Sequence, residues 1–324
     1  MKHERAGRTR RSVRTAAAVG AAGLALALLS GCGGGGKSGG SGDAASASAA
    51  ASASPAAGGT SAVAGVAEVP SIAAMVPASF RKSGVIKDIT YNDAPPDEYV
   101  DGGDLVGWEV DLAKATAQVL GLKVEITGSG SFDSFIPGLQ NHRYDVSFTS
   151  WVVTPEREKV LDLVSMFQSG TGFAVPQSST LKVSAITDLC GAKVAVIQGS
   201  AFVEQLKAAD TKCTAAGKPA IQTSTFPSDA AAELAVGSGR AQVYATSSNQ
   251  LPYLIEQSHK AFAIQPLDYL PTPIAVGTSK GNGLAKPIAA ALQHLMDDGT
   301  YDRVLKQYGV DSGRLTKAAV LPAG

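Results

Sequence analysis

Few residues of this chain have the types and spacing for chemistry of their own. Four histidines (His3, His142, His259, His294) are scattered, and none stands at ligand spacing from Cys32, Cys190 or Cys213, so no metal site is expected. Gly31–Ser38, GCGGGGKS, satisfies the phosphate-loop pattern letter for letter. A phosphate loop needs a strand before its glycines and a helix after its Lys-Ser pair, so that backbone N–H groups cradle the phosphates. Here an Ala/Gly/Leu run precedes the match and a Gly/Ser/Ala tract follows it, and neither builds that frame. No cofactor is expected. A guanidinium and a turn remain. Arg157 lies in the first turn after Thr154-Pro155, and Gln198-Gly199-Ser200 precedes a helix starting near Ala201. A guanidinium grips a carboxylate bidentately, and a helix N-terminus offers it N–H donors.

The N-terminus reads as a targeting segment. Residues 1–14 hold six Lys/Arg against Glu4 alone, and an Ala/Gly/Leu/Val run leads to Leu29-Ser-Gly-Cys32. A basic region, a short apolar region and small residues at the cut describe an export signal, and the apolar run is too short for a spanning helix. Leu-Ser-Gly-Cys is similar to the bacterial lipobox, which implies a signal peptide over 1–31, lipid on Cys32 and anchoring to the outer face of the cell membrane. Residues 32–73 then read as a flexible Gly/Ser/Ala tether. The whole chain has 28 Lys/Arg and 28 Asp/Glu; without the signal it is net acidic, which argues against a nucleic-acid surface. With Cys32 lipidated, Cys190 and Cys213 are the remaining pair, and an oxidising compartment closes such a pair.

The elements that position Arg157 and the 198–200 turn follow from periodicity. VIKDITY reads as a strand running into a Pro/Asp/Gly loop, APPDEYVDGGD. Val110, Ala113, Ala117 and Leu120 share one face of a helix that Gly121 stops. LKVEITG is a strand, SFDSFIPGLQNHR a short helix capped by Ser131 or Asp133, and YDVSFTSW the next strand. This βαβαβ rhythm predicts a mostly parallel sheet with crossover helices. After a strand at TGFAVP the rhythm restarts with KVAVI, a helix near 201–209, a Ser228-capped helix, the strand AQVYAT and the helix SNQLPYLIEQS. The strand at PIAVGTSK belongs back in the first sheet, and two closing helices follow. The expected fold is α/β, a two-lobed clamshell of two mostly parallel sheets joined by a two-strand hinge. Lobe 1 is 84–174 plus 276–312, lobe 2 is 175–275, and the chain crosses near 172–177 and 271–277. A cleft between lobes is where a ligand is expected.

The order of these motifs resembles the family 3 extracytoplasmic solute-binding proteins of ABC importers, in their polar-amino-acid branch, with the type II periplasmic-binding-protein fold. The segments that carry the resemblance run from about Val85 to Gly309. They are APPDEYVDGGDLVGWEVDLAKATAQVLG, FDSFIPGLQNHRYDVSFTSWVVTPEREKVLDLV, DLCGAKVAVIQGSAF, AAELAVGSGRAQV, PIAVGTSKGNGL and LQHLMDDGTYDRVLKQYGV. Part of the family is similar in also having DLCG with KC.AAGKPAI, which supports the Cys190–Cys213 bridge.

The resemblance implies that Arg157 and the Gly199-Ser200 turn, on opposite lobes, hold the carboxylate of an amino acid or related ligand. Thr149 and Ser150 match ligand-contacting positions. Phe132 matches a pocket wall or is a core aromatic, and Trp151 lines the cleft or packs below it. Two departures stand out. The aromatics that usually flank the family's Pro-Pro are Ala94 and Asp97 here, and its ammonium-binding Asp is Ser247. Either Asp93, Asp97 or Glu98 then supplies the negative charge, or the ligand is not an ordinary α-amino acid. The expectation is a monomeric, non-enzymatic receptor delivering a small carboxylate-bearing solute to an ABC permease. The alternatives are a ligand sensor uncoupled from transport, and a dehydratase-like lyase using Glu98, Glu204 or Asp97.

Overall fold

The computed structural model describes residues 62–321. The signal peptide expected at 1–31, the lipidation expected on Cys32 and the expected tether up to residue 61 lie outside the described residues. Residues 62–73 belong to the folded body, not to a tether. Val63 and Ala73 are buried, Val69 N–H donates to the Val119 carbonyl at 3.0 Å, and Val66 and Ile72 pack on the first core. The apolar residues of AVAGVAEVPSIAA give this stretch a face to bury, which the Gly/Ser tract before it lacks.

The chain opens with α1 (Pro70–Ala73), α2 (Ala78–Ser83), β1 (Val85–Tyr91), β2 (Asp93–Ala94), β3 (Glu98–Asp101), β4 (Asp104–Val106), α3 (Trp108–Val119) and β5 (Lys123–Ser129). It continues through α4 (Phe135–Gln140), β6 (Val146–Val152), α5 (Pro155–Val160) and β7 (Leu161–Pro176). A second unit follows: β8 (Lys193–Ile197), α6 (Ala201–Ala215), β9 (Gln222–Phe226), α7 (Asp229–Gly237), β10 (Val243–Ser247), α8 (Leu251–Gln257) and β11 (Phe262–Ile264). The chain returns through β12 (Tyr269–Ser279) and closes with α9 (Ala285–Asp297), α10 (Thr300–Gln307) and β13 (Val320–Leu321).

The strand order is β5-β1-β6-β12-β7-β10-β8-β9, with β11 and β13 also pairing with β7. β1 is parallel to β5 and β6, and β8 is parallel to β9 and β10. Between these parallel wings run antiparallel β12 and β7, so the two expected sheets are hydrogen-bonded into one. β7 reaches back to Leu161, well before the strand expected at TGFAVP. Its first half pairs with β12 and β13 and its second half with β10 and β11. Both strands pass between lobes near Gln168–Thr171 and Tyr269–Pro273, where their register shifts. The lobes have separate cores, one around Trp108, Phe148 and Phe167 and one around Phe173, Val194 and Phe202.

APPDEYVDGGD is not an irregular loop. β2, β3 and β4 form a small antiparallel sheet, with Gly102 and Gly103 at positive φ joining β3 to β4, as a tight hairpin turn requires. The start of α3 presses on this sheet. Gly107 has φ +133°, and a Cβ there would lie 2.0 Å from the Asp97 carbonyl oxygen, so only glycine lets the two segments meet.

Cys190 and Cys213 are disulfide-bonded, with a sequence separation of 23. Closing a loop of that size constrains the unfolded chain and contributes roughly 3 kcal/mol. Urea denaturation of a Cys190→Ser/Cys213→Ser variant should show a loss of that order, matched by wild type in reductant. Equal stability in all three samples would deny the bridge a stabilising role.

Candidate functional site

Three local structures converge on the cleft. Thr154 caps α5, its hydroxyl accepting from Arg157 N–H at 3.3 Å, and Pro155 opens the helix, a pairing suited to a short, sharply started helix. In the second lobe β8 ends in a turn with Gly199 at φ +79°, and Ser200 leads into the 15-residue α6. Ser228 caps α7 through Ala231 N–H at 3.2 Å, leaving Asp229 as the first helical residue. The three helix starts surround a cavity walled by residues of both lobes.

Arg157 is 7% exposed and lines this cavity. Its Nη1 donates to the Val152 carbonyl at 2.9 Å and its Nη2 to the Gly199 carbonyl at 3.3 Å. The guanidinium lies 4.9 Å from the Trp151 ring centroid and 5.8 Å from that of Phe132, within cation–π range. Among the described residues no carboxylate pairs with it. Desolvation accordingly pushes its pKa down to about 10.

Of the other residues singled out from the sequence, Phe132, Thr149, Ser150, Ser200 and Ser247 line the cavity with Arg157. Trp151 packs below it, buried, and carries the guanidinium on its ring. Gly199 faces the site differently from the N–H donor expected: its carbonyl accepts from Arg157, while Ser200 N–H is used within the turn, to Ile197 O at 3.4 Å. Asp93 and Asp97 do not line the cavity. Asp93 accepts from Ala230 N–H of α7 at 3.1 Å. Asp97 accepts from Trp108 Nε1 at 2.5 Å, Asn249 Nδ2 at 2.7 Å and Gln250 Nε2 at 2.8 Å. Both aspartates therefore join the lobes, and Asp97, with three donors on its two oxygens, has little acceptor capacity left for a ligand. Glu204 is on the surface, 3.7 Å from Lys207.

Of the three acids named from the sequence only Glu98 lines the cavity, and a second carboxyl, Asp229, joins it. Asp229, 5% exposed, and Glu98 line it, with Thr246 and Gln250 beside them. Sequence reasoning missed Asp229, although its place directly after a helix cap repeats the arrangement at Thr154 and Ser200. Tyr244 Oη donates to Asp229 Oδ1 at 2.5 Å, and desolvation pushes this carboxyl up to about 7. Glu98 accepts from Thr149 Oγ1, and Glu109 from Ser150 Oγ at 2.8 Å. Their other oxygens, Glu98 Oε2 and Glu109 Oε2, are buried without a donor. One carboxylate oxygen each of Asp97, Glu98 and Glu109 lies within 4.8 Å of the other two. Burial, then the neighbouring Glu109, holds Glu98 well above the usual carboxylate range. Burial also raises Asp97 to about 6 and Glu109 to about 8.

A carboxylate-seeking cation and acids without a cationic partner around one cavity suit a ligand that is itself both anionic and cationic. The sequence model of the bacterial extracellular solute-binding proteins, family 3, matches residues 86–311. The arginine-binding protein ArgT of Corynebacterium glutamicum is 28% identical over 254 residues, covering 78% of this chain and 83% of its own. A solved ancestral arginine-binding protein bound to glutamine is 30% identical with a TM-score of 0.63, over 70% of this chain and 98% of that one. An ancestral amino acid-binding protein that is a precursor of cyclohexadienyl dehydratase is 28% identical with a TM-score of 0.63, over 71% and 97%. All three are described as binding proteins rather than enzymes.

The acids set a pH dependence. Asp97, Glu109 and Asp229 are raised to about 6, 8 and 7, and Asp88, buried beneath them, to about 8, against roughly 4 in an unfolded chain. Between these limits the folded protein binds more protons than the unfolded one, so stability falls as pH rises from about 4 to 8. Ligand-free protein should melt at a higher temperature at pH 5 than at pH 8; a flat or opposite trend would show these acids ionised at little cost.

Proposed function

The chain belongs to the bacterial extracellular solute-binding proteins of family 3, and on that premise we propose that it is a lipid-anchored receptor that hands an α-amino acid to an ABC importer. The observation that carries the ligand assignment is Arg157: a guanidinium buried in the cavity wall with two carbonyls and two rings for company, and no counter-ion among the described residues. A ligand carboxylate supplies the missing charge. The first turn of α6, whose Ser200, Ala201 and Phe202 line the same cavity, adds N–H donors that no helix carbonyl precedes. The α-ammonium falls to Asp229 and Glu98, which replace the acid that Ser247 lacks. Relatives described as binding arginine, or as bound to glutamine, support an amino acid as the ligand.

The remaining parts of the proposal follow from the N-terminal sequence and the family. Leu29-Ser-Gly-Cys32 after a basic and apolar leader supports a diacylglyceryl Cys32 at the outer face of the cell membrane. The receptor works as a monomer, and its transport partner is an ABC permease that reads the closed, loaded form.

Isothermal titration of the soluble domain against the proteinogenic amino acids and small organic acids tests the ligand assignment. One or more amino acids should bind at micromolar affinity or better, and Arg157→Ala should weaken that binding at least tenfold to a hundredfold, as the loss of one charge-assisted contact of roughly 1.5–3 kcal/mol implies. Binding that ignores Arg157→Ala, or silence across the panel, overturns it. For the anchor, wild type should partition into detergent and take up labelled fatty acid when expressed in its membrane-targeted form. Cys32→Ser should do neither.

A further inference from the structure

We infer that Glu109 is a positioning residue: it keeps the cavity-lining Glu98 protonated, through a proton that the two carboxyls share, until a ligand ammonium displaces that proton. The inference rests on the amino-acid reading above and adds that binding is coupled to proton release. Glu98 opens β3, and Glu109 lies in the first turn of α3. They are 2% and 0% exposed. Consecutive hydroxyls of β6 hold one oxygen of each, Thr149 on Glu98 Oε1 and Ser150 on Glu109 Oε1. The carboxyls hydrogen-bond to one another, while Glu98 Oε2 and Glu109 Oε2 are buried with no donor among the described residues. Two ionised carboxylates offer acceptors only. Contact between them therefore needs a proton.

The surroundings keep that proton in place. Asp97 brings an oxygen within 4.8 Å of both glutamates, and the charge of Asp88, on β1, acts on Glu109 as well. Tyr91, from the same strand, and Asp229, from α7, line the cavity with Glu98. Asp111 of α3 is engaged with Tyr308 Oη at 3.1 Å, and β6 presents hydroxyls alone. Arg157 is the base that lines the cavity, and no carboxylate pairs with it among the described residues. Ionising both glutamates would therefore set two buried like charges side by side, which one retained proton avoids. A ligand changes the balance. With its carboxylate on Arg157, its ammonium brings a positive charge to Glu98 and favours the ionised form. The shared proton then passes to water, the ammonium keeps its own protons, and one positive charge has replaced another. The coupling is reciprocal, since the proton opposes the ligand as much as the ligand opposes the proton. Affinity therefore falls as pH falls.

Glu109→Gln tests this, because an amide of the same size still accepts from Ser150 and offers Glu98 a permanent N–H in place of the proton. Titration of an amino acid from the panel above, arginine first, in buffers of different ionisation heat counts the protons released. Near pH 7 the variant should release about one proton fewer per ligand than wild type, and its affinity should fall about tenfold less per unit of falling pH. Asp229 is unchanged in both proteins, so its own contribution cancels. Without ligand, Glu109→Gln should lose part of the advantage in melting temperature that wild type has at pH 5 over pH 8. Should the variant not fold, wild type alone decides: its infrared spectrum at pH 7 should hold a carboxylic-acid C=O band that weakens when arginine or another amino acid of the panel binds. Equal proton release and equal pH slopes in the two proteins, or a band that is absent or unchanged by ligand, overturns the shared proton and leaves the amino-acid reading standing. Silence across the whole panel overturns that reading and the coupled release with it, while the ligand-free melting comparison still decides whether the proton is shared.

Discussion

A guanidinium taken out of water and given no counter-ion is among the less comfortable groups a protein can bury. Arg157 is held that way by partners drawn from both lobes: the Val152 carbonyl at the end of β6, the Gly199 carbonyl before α6, and the Trp151 and Phe132 rings. Rings and carbonyls offset part of the desolvation but supply no full negative charge. The local sequence fixes this position, because Thr154 and Pro155 start α5 where its first turn faces the second lobe. The sheet does the rest, since β6 and β8 end on the same cleft from opposite sides. An incoming carboxylate has the largest gain where both lobes already surround the guanidinium, so occupancy favours closure through differential affinity.

Three other hydrogen-bonding aspartates across the cleft share a chemical character. Asp93 meets Ala230 N–H, Asp97 meets the Asn249 and Gln250 amides, and Asp133 meets Gln198 Nε2 at 3.1 Å. Each pairs a first-lobe carboxylate with a neutral second-lobe donor. Neutral donors can return to water at modest net cost, so such bonds align the lobes without locking them. Gly199 takes part through its size: a Cβ there would come within 3.0 Å of the Asp133 side chain. Closure is therefore geometrically specific and energetically light, which leaves the ligand as the deciding term.

Most of the fold was legible because its signals are local. Apolar periodicity placed α3, β1, β5, β6 and β8, and caps at Thr154 and Ser228 placed α5 and α7. What escaped is set by tertiary pairing. β7 extends back to Leu161 because β12 and β13 pair with that half, and LDLVSMFQ alone does not announce this. The small sheet of β2–β4 was hidden by Pro, Asp and Gly residues that read as a loop until Gly107 allows α3 to press against Asp97. At the site, Arg157 was identifiable from its helix start. Asp229 has an equivalent start, but an acid in a helix's first turn is common and nothing in its local sequence points to the cleft. Asp93 and Asp97 stand out by their charge, and sequence carries no sign that backbone and amide donors from the other lobe would occupy them.

Ala94 and Asp97 look like two separate departures from the family's flanking aromatics, yet the structure makes them parts of one change. A ring at 97 excludes water and fills space between the lobes; a carboxylate there has to be satisfied instead, and Trp108, Asn249 and Gln250 all turn towards it. Gln250 is thereby fixed between the lobes, and it walls both the ligand cavity and a second one beside it. Ala94 lines the same two cavities. Both departures thus bear on one stretch of wall, Asp97 by holding Gln250 and Ala94 by lining it directly.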